Sequence, residues 1–121
     1  HHRAWTRIVD ARGAVSGVSP QYNGGYPAPL KNAIDTLYAE WHDKPVLLVT
    51  YGYHGGTSAA EQLKTVFGVV KANLLQPAVN ITVTDADKDA AGRLTNPCDL
   101  VERHRAQLEV GFAAIHTALG C

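Results

Sequence analysis

The sequence predicts an α/β domain in which a parallel sheet carries helices on both faces. Three observations lead there. Helix-like and strand-like patterns alternate in the order helix-β-α-β-α-β-α, and right-handed crossovers turn such an order into a parallel sheet. Val46-Leu47-Leu48-Val49 is a continuous apolar run, as a strand buried on both faces requires. Two glycine-rich stretches, residues 19–29 and 50–56, each follow a strand, which is where open α/β sheets bind ligands.

Taken in order, residues 3–10 place Trp5, Ile8 and Val9 at helical spacing and read as the last turns of a helix. Residues 14–18 form a weak strand, since Gly13 and Gly17 add backbone entropy loss and no packing surface. Pro20 halts it by offering no amide to a central ladder. Asn23, Gly24 and Gly25 tolerate positive φ, so the chain can bend sharply and approach a ligand closely. A plain turn is the competing reading of the same residues, because Asn-Gly is also the strongest short hairpin signal. Leu30, Ala33, Ile34, Leu37, Tyr38 and Trp41 then follow a helical stripe, predicting one helix over 30–41. Asp43-Lys44-Pro45 ends it and the strand at 46–49 begins.

After the second glycine-rich loop, Thr50-Tyr51-Gly52-Tyr53-His54-Gly55-Gly56, Ser58 and Glu61 have the spacing of a capping box. The helix so opened puts Leu63, Val66, Phe67, Val70 and Leu74 on one face. Residues 78–83 alternate apolar and polar, the pattern of a half-exposed or edge strand. Asp85, Asp87 and Asp89 lie in a polar linker reaching to Thr95. The run has neither the glycine at the sixth position nor the closing glutamate of a calcium loop, so a solvated loop is the better reading. Asn96, Pro97 and Asp99 open a last helix, with Val101, His104, Leu108, Phe112, Ile115 and Leu119 on one side.

Composition narrows the function classes. The chain has 121 residues, 45% of them apolar and 18% charged, which suits one globular domain. Eleven basic and eleven acidic side chains balance to zero, so no basic excess exists to neutralise nucleic-acid phosphates or an anionic membrane. No apolar run approaches the roughly 20 residues that span a bilayer. Cys98 and Cys121 define no disulfide framework and no C-x-x-C, and a reducing, cytoplasmic setting is the simplest one. His1-His2 is compatible with a tag remnant, and the missing Met and abrupt start suggest a fragment.

The chain holds no G-x-S-x-G elbow, Walker A or G-x-G-x-x-G string, and its histidines show no H-x-x-x-H zinc spacing. No metal site is expected. His104, on an apolar face, reads as a satisfied structural residue; His54, in a glycine-rich loop at a strand's carboxyl end, reads equally as functional or as an exposed loop residue. Tyr22, Tyr26, Tyr51 and Tyr53 are spread over the two loops. They suit a flat aromatic ligand, stacked by tyrosines and met by backbone amides, or else amphipathic packing at the edge of the core.

The string from Pro20 to Asp35, PQYNGGYPAPLKNAID, followed by Glu40-Trp41-His42-Asp43-Lys44-Pro45, Tyr51-Gly52-Tyr53-His54-Gly55-Gly56 and Ala60-Glu61-Gln62-Leu63, resembles the NADPH-dependent FMN reductase family. The resemblance is dense over residues 5–75. It implies a flavodoxin-like three-layer sandwich around a parallel sheet, truncated at its amino terminus, with residues 1–121 as a single partial domain. It also implies an FMN whose ring lies between two loops: Pro20, Gln21, Tyr22 and Asn23 on one side, Tyr51, Gly52, Tyr53 and His54 on the other. The implied reaction moves a hydride from NADPH or NADH to FMN and then to a quinone, azo compound or free flavin, without a catalytic side chain. The family's opening strand and phosphate-binding loop have no counterpart here, and Gly17 stands where the family places a bulky apolar residue.

Three function classes follow. The first is an FMN-dependent NAD(P)H oxidoreductase; the second is a truncated, non-catalytic remnant acting as a binding or dimerisation module. The third is a flavodoxin-type electron carrier, which the helix string disfavours. An open sheet edge further predicts a homodimer or homotetramer with residues 30–41 near the contact.

Overall fold

The computed structural model describes residues 2–120. The element order is α1 (His2–Ala11), β1 (Val15–Pro20), α2 (Ala28–Asp35), a 3₁₀ turn (Ala39–Trp41), β2 (Pro45–Gly52), α3 (Thr57–Val69), β3 (Asn73–Leu74), β4 (Val79–Thr82), a second 3₁₀ turn (Asp85–Asp87), α4 (Pro97–Arg103) and α5 (Arg105–Ala118). His1 and Cys121, which carry the readings about a tag and a second cysteine, lie outside the described residues, and the side chain of His2 is likewise not described. No helix among the described residues is long and apolar enough to cross a membrane.

All strand pairs are parallel, with β2 at the centre. One edge of β2 takes β1, in register from Val15 opposite Val46 to Pro20 opposite Tyr51. The other edge takes β3 at its start and β4 at its end, Val79 opposite Val49 through Thr82 opposite Gly52. These two are one strand interrupted around Pro77, which has no amide to donate. Val46 to Thr50 are all buried, so β2 has both faces covered as its continuous apolar run predicts. Val46 and Leu48 pack with Val9, Ile34, Leu37, Trp41, Leu63, Phe67 and Val70. Leu47 and Val49 pack with Val79 and, from α5, Leu108 and Ile115.

The helix expected over 30–41 ends at Asp35, where its last carbonyls take partners outside the helix. The last carbonyls of a helix have no partner within it. Here Asn32 O accepts from the Thr36 amide at 3.1 Å and its hydroxyl at 2.7 Å. Ala33 O accepts from Trp5 Nε1 at 2.8 Å, and Ile34 O from Trp41 Nε1 at 3.0 Å. Two indoles thus finish α2 and tie it to α1 and to the first 3₁₀ turn. Trp41 meets Trp5 and Phe67 edge-on at centroid distances of 6.3 and 5.4 Å. Leu37 and Trp41 stay in the core, whereas Tyr38 and, on α1, Ile8 are exposed.

Three further expectations are corrected. Gly56, not Ser58, occupies the N-cap of α3, and the Ser58 hydroxyl donates to Gly24 O at 2.6 Å instead. Leu74 belongs to β3 rather than to the face of α3. The last helix breaks at His104 into α4 and α5, and its inward line is Leu100, His104, Leu108, Gly111 and Ile115. Val101, Phe112 and Leu119 are exposed. The cause is Gly111: a Cβ there would stand 3.0 Å from both Leu47 Cδ2 and Val79 Cγ2, so the glycine lets α5 settle closely on the sheet and turns the stripe around it. Asn96 does cap α4, accepting from Asp99 N at 3.0 Å. His104 is the satisfied structural residue expected, with Nδ1 2.8 Å from Leu100 O and Nε2 accepting from Thr82 N at 3.1 Å.

Candidate functional site

The carboxyl ends of β1, β2 and β4 open onto a cleft of about 820 Å³. All eight residues expected to hold a ligand line it: Pro20, Gln21, Tyr22 and Asn23 after β1, and Tyr51, Gly52, Tyr53 and His54 at the end of β2. Neighbouring parallel strands end on the same side, so two loops some 30 residues apart in sequence must face each other.

The first loop is a tight turn set into the cleft wall. Tyr22 N donates to Gly25 O at 2.8 Å and Gly25 N to Tyr22 O at 3.0 Å. Asn23 and Gly24 between them have φ of 51° and 82°, the positive pair of a type I′ turn. The Asn-Gly hairpin signal and the ligand-loop signal therefore describe one structure. The turn is anchored at its back. Gly24 O accepts from Ser58 Oγ at 2.6 Å and from Gln62 Nε2 at 3.1 Å. Gln21 works in the same sense: its amide donates to Tyr51 O at 3.2 Å, and its Oε1 accepts from Ala59 N at 3.0 Å. That carbonyl fixes the loop to the start of α3, so Gln21 is a positioning residue with its side-chain oxygen already engaged.

The second loop is tucked between β2 and β4. Gly55 and Gly56 have φ of 73° and 68°. A Cβ on Gly55 would lie 2.9 Å from Asn80 Cβ, and one on Gly56 would lie 2.8 Å from both Thr50 Cβ and Tyr51 N. Beneath them the buried Thr50 hydroxyl donates to Gly55 O at 2.8 Å and stands 2.9 Å from the side-chain oxygen of Asn80. A rigid base thus presents Gly52, Tyr53 and His54 to the cleft.

The lining is aromatic and apolar with polar backbone between. Tyr22, Tyr51 and Tyr53 are all exposed. Among the described residues the amides of Asn23, Gly24, Tyr53 and His54 have no protein partner. The site therefore offers flat faces and backbone donors, which suits a planar ligand rich in carbonyl oxygens and ring nitrogens. Among the described lining residues there is no serine, cysteine, aspartate or glutamate. Tyr26, grouped with these tyrosines by sequence, packs instead against the core.

The cleft has a third wall that sequence reasoning missed: Ile81, Val83, Lys88, Gly92, Leu94 and Leu100. The linker over 85–95 is ordered, and its three aspartates brace it. Asp85 accepts from the Tyr53 hydroxyl. Asp87 closes a capping box with Thr84 and pairs with Arg103. Asp89 Oδ1 accepts from Ala91 N at 2.9 Å and Arg93 N at 3.0 Å. These contacts shift two titrations. The bond to Asp85 raises the Tyr53 phenol above its ordinary 10.0. The Thr84 amide, with Arg103 adding to it, holds Asp87 below its ordinary 3.8.

Comparison with known proteins bears on this geometry. A family model described as NADPH-dependent FMN reductase matches residues 1–85. An NAD(P)H-dependent FMN reductase of Saccharomyces cerevisiae is 55% identical over 73 residues, which is 60% of this chain and 38% of the relative. One of Schizosaccharomyces pombe is 44% identical over 113 residues, 93% of this chain and 55% of the relative. The chain thus spans about half the length, or less, of these curated relatives. Among solved structures, FerB of Paracoccus denitrificans, a flavoenzyme NAD(P)H:(acceptor) oxidoreductase, superposes with a TM-score of 0.74 at 22% identity, covering 97% of this chain and 68% of its own. At that identity the likeness speaks for the fold.

Proposed function

Because the chain belongs to the NADPH-dependent FMN reductase family and has a flavodoxin-like fold, we propose that its cleft receives the isoalloxazine ring of FMN and serves an NAD(P)H-dependent oxidoreductase. The observation that carries this reading is the meeting of two sequence-distant loops, each with unpartnered amides and exposed tyrosines, over one cleft. Bound FMN would supply the hydride chemistry that links NADPH or NADH to an acceptor such as a quinone, an azo compound or a free flavin. The chain's own residues do the rest. Backbone donors of 23–24 and 53–54 suit ring carbonyls and nitrogens; Tyr22, Tyr51 and Tyr53 flank and shield; Gln21, Ser58, Gln62 and Thr50 keep the loops in place. Gly52 lines the cleft with a φ of 158°, which L side chains rarely adopt, and a Cβ there would lie 3.7 Å from Gly56 N and 3.8 Å from Gln21 Cβ, so a larger side chain would be strained at this point.

The test is titration of this chain with FMN, followed by flavin fluorescence. Saturable quenching is expected, weakened by Asn23→Ala, which strains the turn at its φ of 51°, and abolished by Gly52→Val, whose φ of 158° resists a side chain. Absence of binding at high micromolar FMN would remove the flavin from this chain and leave the binding- or dimerisation-module reading. A cytoplasmic setting belongs to the same reading, since the reaction draws on a reduced nicotinamide nucleotide. So does self-association as a dimer or tetramer with residues 30–41 near the contact, a stretch in which Tyr38 is exposed. Sedimentation at micromolar concentration reads the assembly directly.

A further inference from the structure

We infer that Lys88 selects ligands bearing a negatively charged substituent, a sulfonate, carboxylate or phosphate, for the position over the cleft; this rests on the flavin reading above and concerns the second ligand, not FMN itself. Fifteen residues line the cleft; Lys88 is the one lysine or arginine among them, and none of the fifteen is an aspartate or glutamate. A cleft walled by apolar surface focuses the field of such a charge.

The lysine is positioned, not loose. Its ammonium stands over the Tyr53 ring, 5.0 Å from the centroid, a cation–π arrangement. Tyr53 is itself fixed by donating to Asp85. The backbone of Lys88 is held by its amide to Asp85 O at 3.1 Å and by a bridge to Leu94. The acids that would ordinarily neutralise it are committed elsewhere: Asp85 to Tyr53, Asp87 to Thr84 and Arg103, Asp89 to the turn at 91–93. Among the described residues no ion pair includes Lys88. Its charge therefore faces whatever occupies the cleft, at a ring's distance from the tyrosine that flanks it.

The shared chemistry could come from the dinucleotide or from the acceptor, and the experiment separates them. The 121-residue chain is first saturated with FMN. Affinities are then measured by calorimetry for NADP⁺, for anthraquinone-2-sulfonate and for uncharged 2-(hydroxymethyl)anthraquinone, in wild type, Lys88→Gln and Lys88→Arg. Loss of one charge-assisted contact predicts about a tenfold weakening in Lys88→Gln for NADP⁺, the sulfonate or both, with the uncharged quinone unchanged. Lys88→Arg should keep the preference, and added salt should erode it in wild type. Weakening of NADP⁺ alone names the dinucleotide as the source, and weakening of the sulfonate alone names the acceptor. Equal affinities in wild type and Lys88→Gln, or an equal loss for all three ligands, overturns the inference while leaving the flavin reading intact. Failure of FMN to bind at the first step removes both.

Discussion

Alanine at Gly56 should be far more damaging than alanine at Gly24, although both glycines have positive φ. Their φ values are 68° and 82°, and a left-handed conformation costs an L-residue about 1–2 kcal/mol. Alanine also removes chain entropy from the unfolded state, returning roughly 0.4–1 kcal/mol. Both terms apply to both sites and cancel in the comparison. What differs is space. A Cβ on Gly24 meets nothing within 4 Å, whereas one on Gly56 would stand 2.8 Å from Thr50 Cβ and from Tyr51 N, the second a backbone atom that cannot rotate away. Overpacking of that kind costs about 1–3 kcal/mol. Gly24→Ala should therefore destabilise by about 1 kcal/mol and Gly56→Ala by about 2–4 kcal/mol. Urea unfolding with a shared m-value measures the difference from the midpoints. Equal midpoints for the two variants would show that the second loop has slack against β2, and the argument that it forms a rigid base would fail.

Trp41→Phe should cost about 2–4 kcal/mol in the same assay, since it leaves the buried Ile34 carbonyl without its indole donor and opens a void beside Phe67; a loss below 0.5 kcal/mol would mean that water or Thr36 takes over the helix end. Asp85→Asn should bring the Tyr53 phenol back toward 10.0, read as an earlier rise of tyrosinate absorbance at 295 nm. The sign follows from the raised folded value: this contact contributes stability fully below pH 10.0 and loses it as pH climbs through the folded value. An unchanged titration would show that Asp85 does not hold the hydroxyl. For Asp87 the direction is opposite. Its contribution is present above pH 3.8 and lost as pH falls through the depressed value, so Asp87→Asn should flatten the acid limb of the stability profile below that point.

Much of the fold was legible because β2 and its neighbours obey short-range rules. A strand covered on both sides has no polar face, so Val46 to Val49 declare it without reference to anything distant. The end of α2 was not legible, and periodicity itself misled. Leu37 and Trp41 fall on the helical stripe and are buried, yet a 3₁₀ turn delivers Trp41. What stops the helix is donation from Trp5, 28 residues away, into Ala33 O, and no local pattern encodes that. In α5 the misreading has a different origin. Counting apolar residues gives Phe112 weight and Gly111 none, but close approach of a helix to a sheet rewards the absence of a side chain, and Gly111 faces Leu47 and Val79.

The candidate site divides along the same line. Its first two walls could be read because a glycine-rich bend directly after a strand is a local signal, and because parallel strands place such bends together. All eight residues so named do line one cleft. The third wall was read as solvated linker because Asp85, Asp87 and Asp89 are polar and alternate. Their order comes from partners elsewhere in the sequence, Tyr53 and Arg103, and a carboxylate looks the same in a sequence whether water or a tyrosine hydroxyl satisfies it. One signal was nonetheless available. Residues 79–82 pair with the end of β2, so any segment leaving that strand must border the same opening as residues 51–54. Topology, applied once more, places Val83 and Lys88 at the cleft before any side chain is drawn. It also gives a reason for a bland linker to hold its shape: its three carboxylates are committed to bracing, while Lys88 lines the cleft.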